Sequence, residues 1–297
     1  MAGLLSGLSR LGLGSLENMD LYEKPKKEDE KEKEKAAEAK AALPTFHEQD
    51  FLFNKSHNCP VCDKEFKVKT VKVGRVRLAG SDMDLRPKYE YMDTLKYDVI
   101  VCPRCGYAAL SRYFKFLTTP QAKLIKEKIS ANFKPRDDDK KEIFTYEEAL
   151  DRYKLALANA IVKMAKPSEK AYICLKTAWL LRGKGENLDK ADPEYAKKKK
   201  KVDDEEKEFL KSALDGFLTA RQSESFPMCG MDESTVDYLI AVTAAKFEQY
   251  DLATKMIGSV LTSNGANTRM KDRARMFRDQ IMKQIKMKNA AGNEAKG

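Results

Sequence analysis

From Thr118 onward, apolar residues recur at spacings of three and four. The phrases "TPQAKLIKEKISANF", "TYEEALDRYKLALANAIVKMA", "SEKAYICLKTAWLLRGKG", "DEEKEFLKSALDGFLTARQ", "DESTVDYLIAVTAAKFEQ", "YDLATKMIGSVLTSN" and "TRMKDRARMFRDQIMKQIKMK" each carry this rhythm. It predicts amphipathic helices joined by short polar turns. Asp232 or Ser234 is placed to cap the helix that follows "SESFPMCG". "RGKGENLDKADPEYAKKKKKVDD", with Gly, Pro and a lysine run, is expected to be a solvated insertion or long turn. Before Thr118 the period shortens to two. "FKVKTVKVGRVRL", from Phe66, predicts one strand, or two around Gly74, with Lys and Arg toward solvent, and "KYDVIVC" predicts another. The fold class expected is α+β: a small β unit followed by an all-α region.

Residues 22 to 42, "YEKPKKEDEKEKEKAAEAKAA", alternate in charge and hold too little apolar surface to offset the entropy of ordering. Three segments follow from this: 1–44 as a leucine- and glycine-containing tail with a charged linker, 45–117 as the β unit and 118–297 as the helical region.

Four of the six cysteines stand in two phrases of one form, Cys59-Pro-x-Cys62 and Cys102-Pro-x-Cys105. Such a turn aims both sulfurs at one ion, and two turns complete a tetrahedron. Zinc suits this set best, in the manner of a zinc ribbon, although iron accepts the same ligands. A redox Cys-x-x-Cys opens a helix in a βαβ context, which neither pair has. Four thiolates close the shell, so the metal is expected to be structural, with His57 a bystander. Cys174 is expected in the core and Cys229 in a loop, neither beside an activating histidine. With two histidines in the chain, no P-loop and no Gly-x-Gly-x-x-Gly after a strand, an enzyme is not expected.

Sparse cysteines in Cys-x-x-Cys pairs point to a reducing compartment. No apolar run reaches the roughly eighteen residues that span a bilayer. In "MAGLLSGLSRLGLG", Arg10 and four glycines interrupt what would otherwise resemble a targeting segment. A cytoplasmic location is expected. The formal charge of +10 falls to about +8 once four thiolates and one zinc ion are counted. Residues 51 to 135 hold 17 Lys and Arg against 8 Asp and Glu, which keeps nucleic acid among the partners to consider.

In the helical half, Ala241, Tyr250, Ala253, Ile257 and Val260 fall at the spacings of packing positions in a tetratricopeptide repeat. Tyr146, Ala149, Tyr153 and Ala156 resemble a second helix, and Trp179 and Gly183 fit a first. Lys176 replaces the usual small residue and Gly265 the usual proline, so an ordinary helical bundle stays open. With "CPVC", "DVIVCPRCGYAA", "AWLLRGKG" and "DYLIAVTAAKFEQYDLATKMI" in this order, the chain from about residue 45 resembles the uncharacterised bacterial family called domain of unknown function 2225 (DUF2225). The resemblance implies a zinc-ribbon-like unit followed by tetratricopeptide-like helices, and no activity.

Two functions follow. A cytosolic adaptor would hold a protein or peptide in a helical groove, with Tyr238, Val242 and Lys246 facing it. The alternative is nucleic-acid binding by a basic strand face of Lys67, Lys69, Lys72, Arg75 and Arg77, with Tyr89, Tyr91 and Tyr97 as stacking partners. Leu4, Leu8 and Leu11 at helical spacing suggest a tail that docks on protein.

Overall fold

Three short antiparallel hairpins lead the fold. β1 (Leu52–Asn58) pairs with β2 (Glu65–Val71), β3 (Leu78–Ser81) with β4 (Pro87–Tyr89), and β5 (Val99–Val101) with β6 (Ala108–Leu110). The structure is a computed structural model that describes residues 46–135 and 141–294, with side chains as far as 288. The expected leucine motif at Leu4, Leu8 and Leu11 lies outside these residues.

The expected strand from Phe66 divides: β2 stops at Val71, and the chain turns through residues 72–77 before β3. In β2 the period of two holds, with Phe66 and Val68 buried and Lys67 exposed. β5 and β6 are buried on both faces, which explains the unbroken apolar run "VIV". Their alternate residues enter different cores. Val99, Val101, Ala108 and Leu110 join the helical core, whereas Ile100, Tyr107 and Ala109 join a smaller core around the cysteines.

The helices are α1 (Thr119–Ile125), continued by a π turn over Lys126–Ser130, α2 (Tyr146–Val162), α3 (Pro167–Glu186), α4 (Tyr195–Ser223), α5 (Glu233–Lys246), α6 (Tyr250–Thr262) and α7 (Thr268–Glu294). Capping boxes start α1 at Thr118 and α2 at Thr145, and Asp232 caps α5 by accepting from the Thr235 N–H at 2.8 Å. Across residues 117 and 118, where composition placed a boundary, packing is continuous: α2 lies on β5 and β6. Tyr153 Oη donates to the Leu95 carbonyl at 3.1 Å, and Asn159 Nδ2 to the Gly106 carbonyl at 3.0 Å.

The lysine run is not a solvated turn. It forms the first turns of α4, leaving only residues 187–194 between α3 and α4. Lysine is a good helix former, Lys199 pairs with Asp203 one turn on, and Val202 is buried.

α5 is buried on every side from Val236 to Ala244, as suits a central helix, with Asp237 in that stretch paired to Arg221 at 2.6 Å. α6 turns Ala253, Ile257 and Val260 inward, and α7 presents Ala274, Phe277 and Ile281 at spacings of three and four. The Tyr238 ring meets Phe277 edge-on at 6.1 Å, and its hydroxyl reaches Met83 Sδ at 3.1 Å.

Charge fastens the β3–β4 hairpin to the helices. Arg182 of α3 donates to Asp82 at 3.0 Å, to Asp84 at 2.9 and 2.6 Å, and to Glu206 of α4 at 2.9 Å. Lys246 of α5 approaches Asp84 and Glu206 at 3.6 and 3.7 Å. Burial alone would raise the Asp84 pKa, but the Arg182 guanidinium outweighs it and holds the carboxyl below its ordinary value. Beside this cluster Arg86 meets Glu186 at 3.0 Å and Asp93 at 3.8 Å. Gly183 makes room for them: a Cβ there would lie 2.5 Å from Asp93 Oδ2 and 3.0 Å from Arg86 Nη2.

Two outcomes follow from this packing. Ala253, fully buried, leaves no space for growth, so Ala253→Leu should cost about 1–3 kcal/mol by overpacking, read as a lower melting temperature. Arg182→Met strands the buried Asp84 carboxylate and should cost about 3–5 kcal/mol. Because the Asp84 pKa is depressed in the fold, the wild-type contribution is present at neutral pH and is lost only as pH falls below about 4. Denaturant melts at pH 7 and pH 3 check this: the gap between wild type and variant should narrow at pH 3.

Candidate metal centre

β1 ends at Asn58 and β5 at Val101, and each hands the chain to a tight turn that carries two cysteines. The two turns repeat one another bond for bond. The Cys59 N–H donates to the Lys64 carbonyl at 3.1 Å, and the Cys102 N–H to the Tyr107 carbonyl at 2.8 Å. The Asp63 N–H donates to the Cys59 carbonyl at 2.9 Å, as the Gly106 N–H does to that of Cys102 at 3.1 Å. Asp63 and Gly106 occupy the same left-handed position, at φ 56° and 72°. Glycine and aspartate are suited to that conformation.

The turns bring Cys59 Sγ to 3.5 Å from Cys105 Sγ and Cys62 Sγ to 3.7 Å from Cys102 Sγ. All four sulfurs lie within 4.8 Å of one another. Thiolates about 2.3 Å from a central ion in a tetrahedron sit about 3.8 Å apart, so the set fits a tetrahedral metal ion. The Val61 N–H points at Cys59 Sγ at 3.4 Å, the kind of donor that steadies a thiolate ligand. Four sulfurs this close cannot all be ionised unless a cation lies among them. Hydrogen bonds, first from Cys105 and then from Cys59, pull the Cys102 thiol down. Contact with Cys102 in turn pushes Cys59 and Cys105 up. Cys59, Cys102 and Cys105 are buried and Cys62 half-buried.

An aromatic floor supports the turns. His57, Phe66 and Tyr107 surround Phe114, with ring centroids 5.9, 5.9 and 4.9 Å from it. Tyr107 Oη donates to the Phe114 carbonyl at 3.0 Å. His57 sits in this wall, outside the sulfur set, and its pKa is lowered by burial and then by the charges of Lys55 and Lys115.

The family model described as "Uncharacterized protein conserved in bacteria (DUF2225)" matches residues 52–281. The chain belongs to this family. The DUF2225 match opens on the first residue of β1 and closes on Ile281, a buried residue of α7, so it takes in both cysteine turns and the packed helices. No curated protein and no solved structure matches the chain.

The other residues singled out by sequence fare differently within this DUF2225 chain. Tyr238 and Val242, expected to face a groove, are buried. The β3–β4 hairpin and α7 lie against Tyr238, and α5 is buried all round from Val236 to Ala244. Lys246 is half-exposed but committed to Asp84 and Glu206. The expected basic strand face also breaks up. Lys67 and Lys69 share one face of β2, Lys72 lies past its end and donates to the Asp50 carbonyl at 3.0 Å, and Arg75 and Arg77 stand in the turn beyond. Of the three tyrosines, Tyr97 is buried with its hydroxyl donating to Glu48 at 2.6 Å, and Tyr91 stacks on Phe51 at 5.9 Å. Tyr89 is half-buried. Cys174 is buried, which pushes its thiol up to about 11, and Cys229 is a buried loop residue at φ 51°.

Asn159 is a supporting residue that the sequence did not single out. It reaches the carbonyl of Gly106, next to a sulfur ligand, from the buried face of α2. A polar residue at a helix position otherwise lined with alanine was the available signal.

Gly106 also tests the centre. A Cβ there would lie 2.5 Å from the Phe133 ring, at a φ that alanine adopts poorly. Gly106→Ala should weaken metal retention about tenfold or more in competition with a chelator.

Proposed function

We propose that this protein is a non-enzymatic cytoplasmic adaptor whose four-cysteine centre holds a structural zinc and whose tetratricopeptide-like helices present a docking surface for a protein or peptide partner. Closure of the metal by four thiolates supports a structural role, because no coordination position is left for water or substrate. The choice of zinc over iron rests on the two matching Cys-Pro-x-Cys turns beside strands, the arrangement of a zinc ribbon. The repeat-like reading is supported by the α5–α6 pair, whose three-residue connection and buried Ala241 and Ala253 allow close helix approach.

One observation carries the partner reading. Phe116 and Met164 are 75% and 76% exposed, yet both border a cleft of about 610 Å³. Arg112, Glu169 and Glu224 line the same cleft, giving an apolar rim with charges of both signs. Large apolar side chains held in water beside a cavity are suited to anchor a partner. This surface replaces the groove expected on α5. The nucleic-acid alternative is weakened by the scattered cations of the strand face and by the engagement of Tyr97 and Tyr91 elsewhere.

Protein purified without added metal should carry about one zinc per chain by elemental analysis. Stoichiometric iron, or less than half an equivalent of zinc, would overturn the assignment. The intact chain should capture a protein from its own cytoplasm after nuclease treatment and in moderate salt. The Phe116→Ala/Met164→Ala double variant should lose that protein while melting as wild type does. Retention by nucleic acid alone, with a steep salt dependence, would favour the alternative.

A further inference from the structure

A second cleft, of about 390 Å³, has a different character. Its walls are largely apolar, formed by Val71, Val76, Pro87, Ile100 and Phe114. Its charged groups are few and mostly cationic. Lys55 enters from β1, Lys115 from the segment after β6 and Lys176 from α3.

Lys176 is the most buried of the three and already has its counter-ion. It pairs with Asp98, which also accepts from Ser111 Oγ at 2.7 Å. Lys55 and Lys115 have no ion pair or side-chain hydrogen bond among the described residues. Both are exposed, and both line the cleft together with His57. His57 is 8% exposed, and its Nε2 has no hydrogen-bond partner. With Asp98 paired to Lys176, the cleft keeps two lysines without an ion pair among the described residues above apolar walls, although Lys115 also borders a neighbouring hollow that holds Asp63 and Glu65. No arginine lines it.

Pockets of a few hundred Å³ with mostly apolar walls and a few convergent polar groups are the usual form of small-molecule sites. Two such lysines at a pocket of this kind favour an anion, while the walls favour an apolar body. We propose that this cleft binds a small amphiphilic carboxylate, an acyl or aromatic acid, with its carboxylate between Lys55 and Lys115 and its apolar part against Val71, Val76 and Ile100. Inorganic phosphate satisfies only the charge, and a neutral alcohol only the walls, so the three ligand types separate the two contributions.

The test uses the full chain with its metal bound and octanoate, octanol and inorganic phosphate as probes in titration calorimetry. Octanoate should saturate one site, with octanol and phosphate each at least about tenfold weaker. In methyl NMR, octanoate should shift the Val71, Val76 and Ile100 signals and leave Ile257 and Val260 of α6 unmoved. Lys55→Met with Lys115→Met should weaken octanoate at least about tenfold without lowering the melting temperature, since neither lysine has a partner to lose. Absence of saturable binding, equal binding of octanol or phosphate, shifts confined to other methyl groups, or full affinity in the double variant would each overturn the proposal. The NMR readout needs no variant, so it stands even if the double substitution perturbs folding.

Discussion

The first and third hairpins depend on bringing two cysteine turns, about forty residues apart in the chain, to one point. Cys62 and Cys102 are separated by 40 positions and their sulfurs by 3.7 Å. Neither parent hairpin is stable on its own terms, since two-stranded ribbons are marginal in water and β5–β6 has only three residues per strand. A metal ion among the sulfurs would close the intervening loop and join the hairpins, so its binding free energy would become folding free energy. The same three-residue strands then wall off the helical core, with Val99 and Val101 on one side and Ile100 on the other. Asn159 ties α2 directly to the second turn. The sulfur cluster and the helices are thus mechanically continuous.

The β3–β4 hairpin is attached by different physics. Its apolar contribution to the helical core is Met83 and Leu85 from its turn, and its strands are exposed or half-buried. What holds it is a cluster of charges in which Arg182 of α3 serves two aspartates of the hairpin and a glutamate of α4. Such a cluster gains little net free energy over an apolar contact but tolerates few alternative arrangements. Gly183 belongs to the same device, because any larger residue would displace Asp93 and Arg86.

The cysteine turns were legible because their spacing is dictated by coordination chemistry and survives any surrounding fold. Helices were legible from periodicity, and the Asp232 cap from its position. The lysine run reads in sequence as a solvated turn because charge density resembles solvation, whereas i,i+4 pairing and a single inward Val202 suffice for a helix there. The groove on α5 failed for a related reason. A repeat register says which residues face the next element, but not whether α7 and a hairpin far away in sequence already occupy that face. Lys176 looked like a defect in a small-residue position, yet Asp98 neutralises it there. Long-range pairs of this kind leave no local signal.

The segment after β6 connects the two clefts on which the functional readings rest. Ser111, Phe114 and Lys115 line the smaller cleft, while Arg112, Tyr113 and Phe116 line the larger. Successive side chains of one short stretch therefore divide between them. Tyr113 and Phe114 both take part in the packing around the cysteine turns, and Arg112 is held by the Cys229 carbonyl and by the rings of Tyr113 and Tyr172. An anion drawn toward Lys115 would act on the same backbone that presents Phe116 to a partner. If both sites are filled as proposed, any free energy by which one occupant alters this stretch must act equally on the other, since linkage between two binding sites is reciprocal. The aromatic floor of the metal centre would then set how far the stretch can move, because Phe114 is packed between His57, Phe66 and Tyr107.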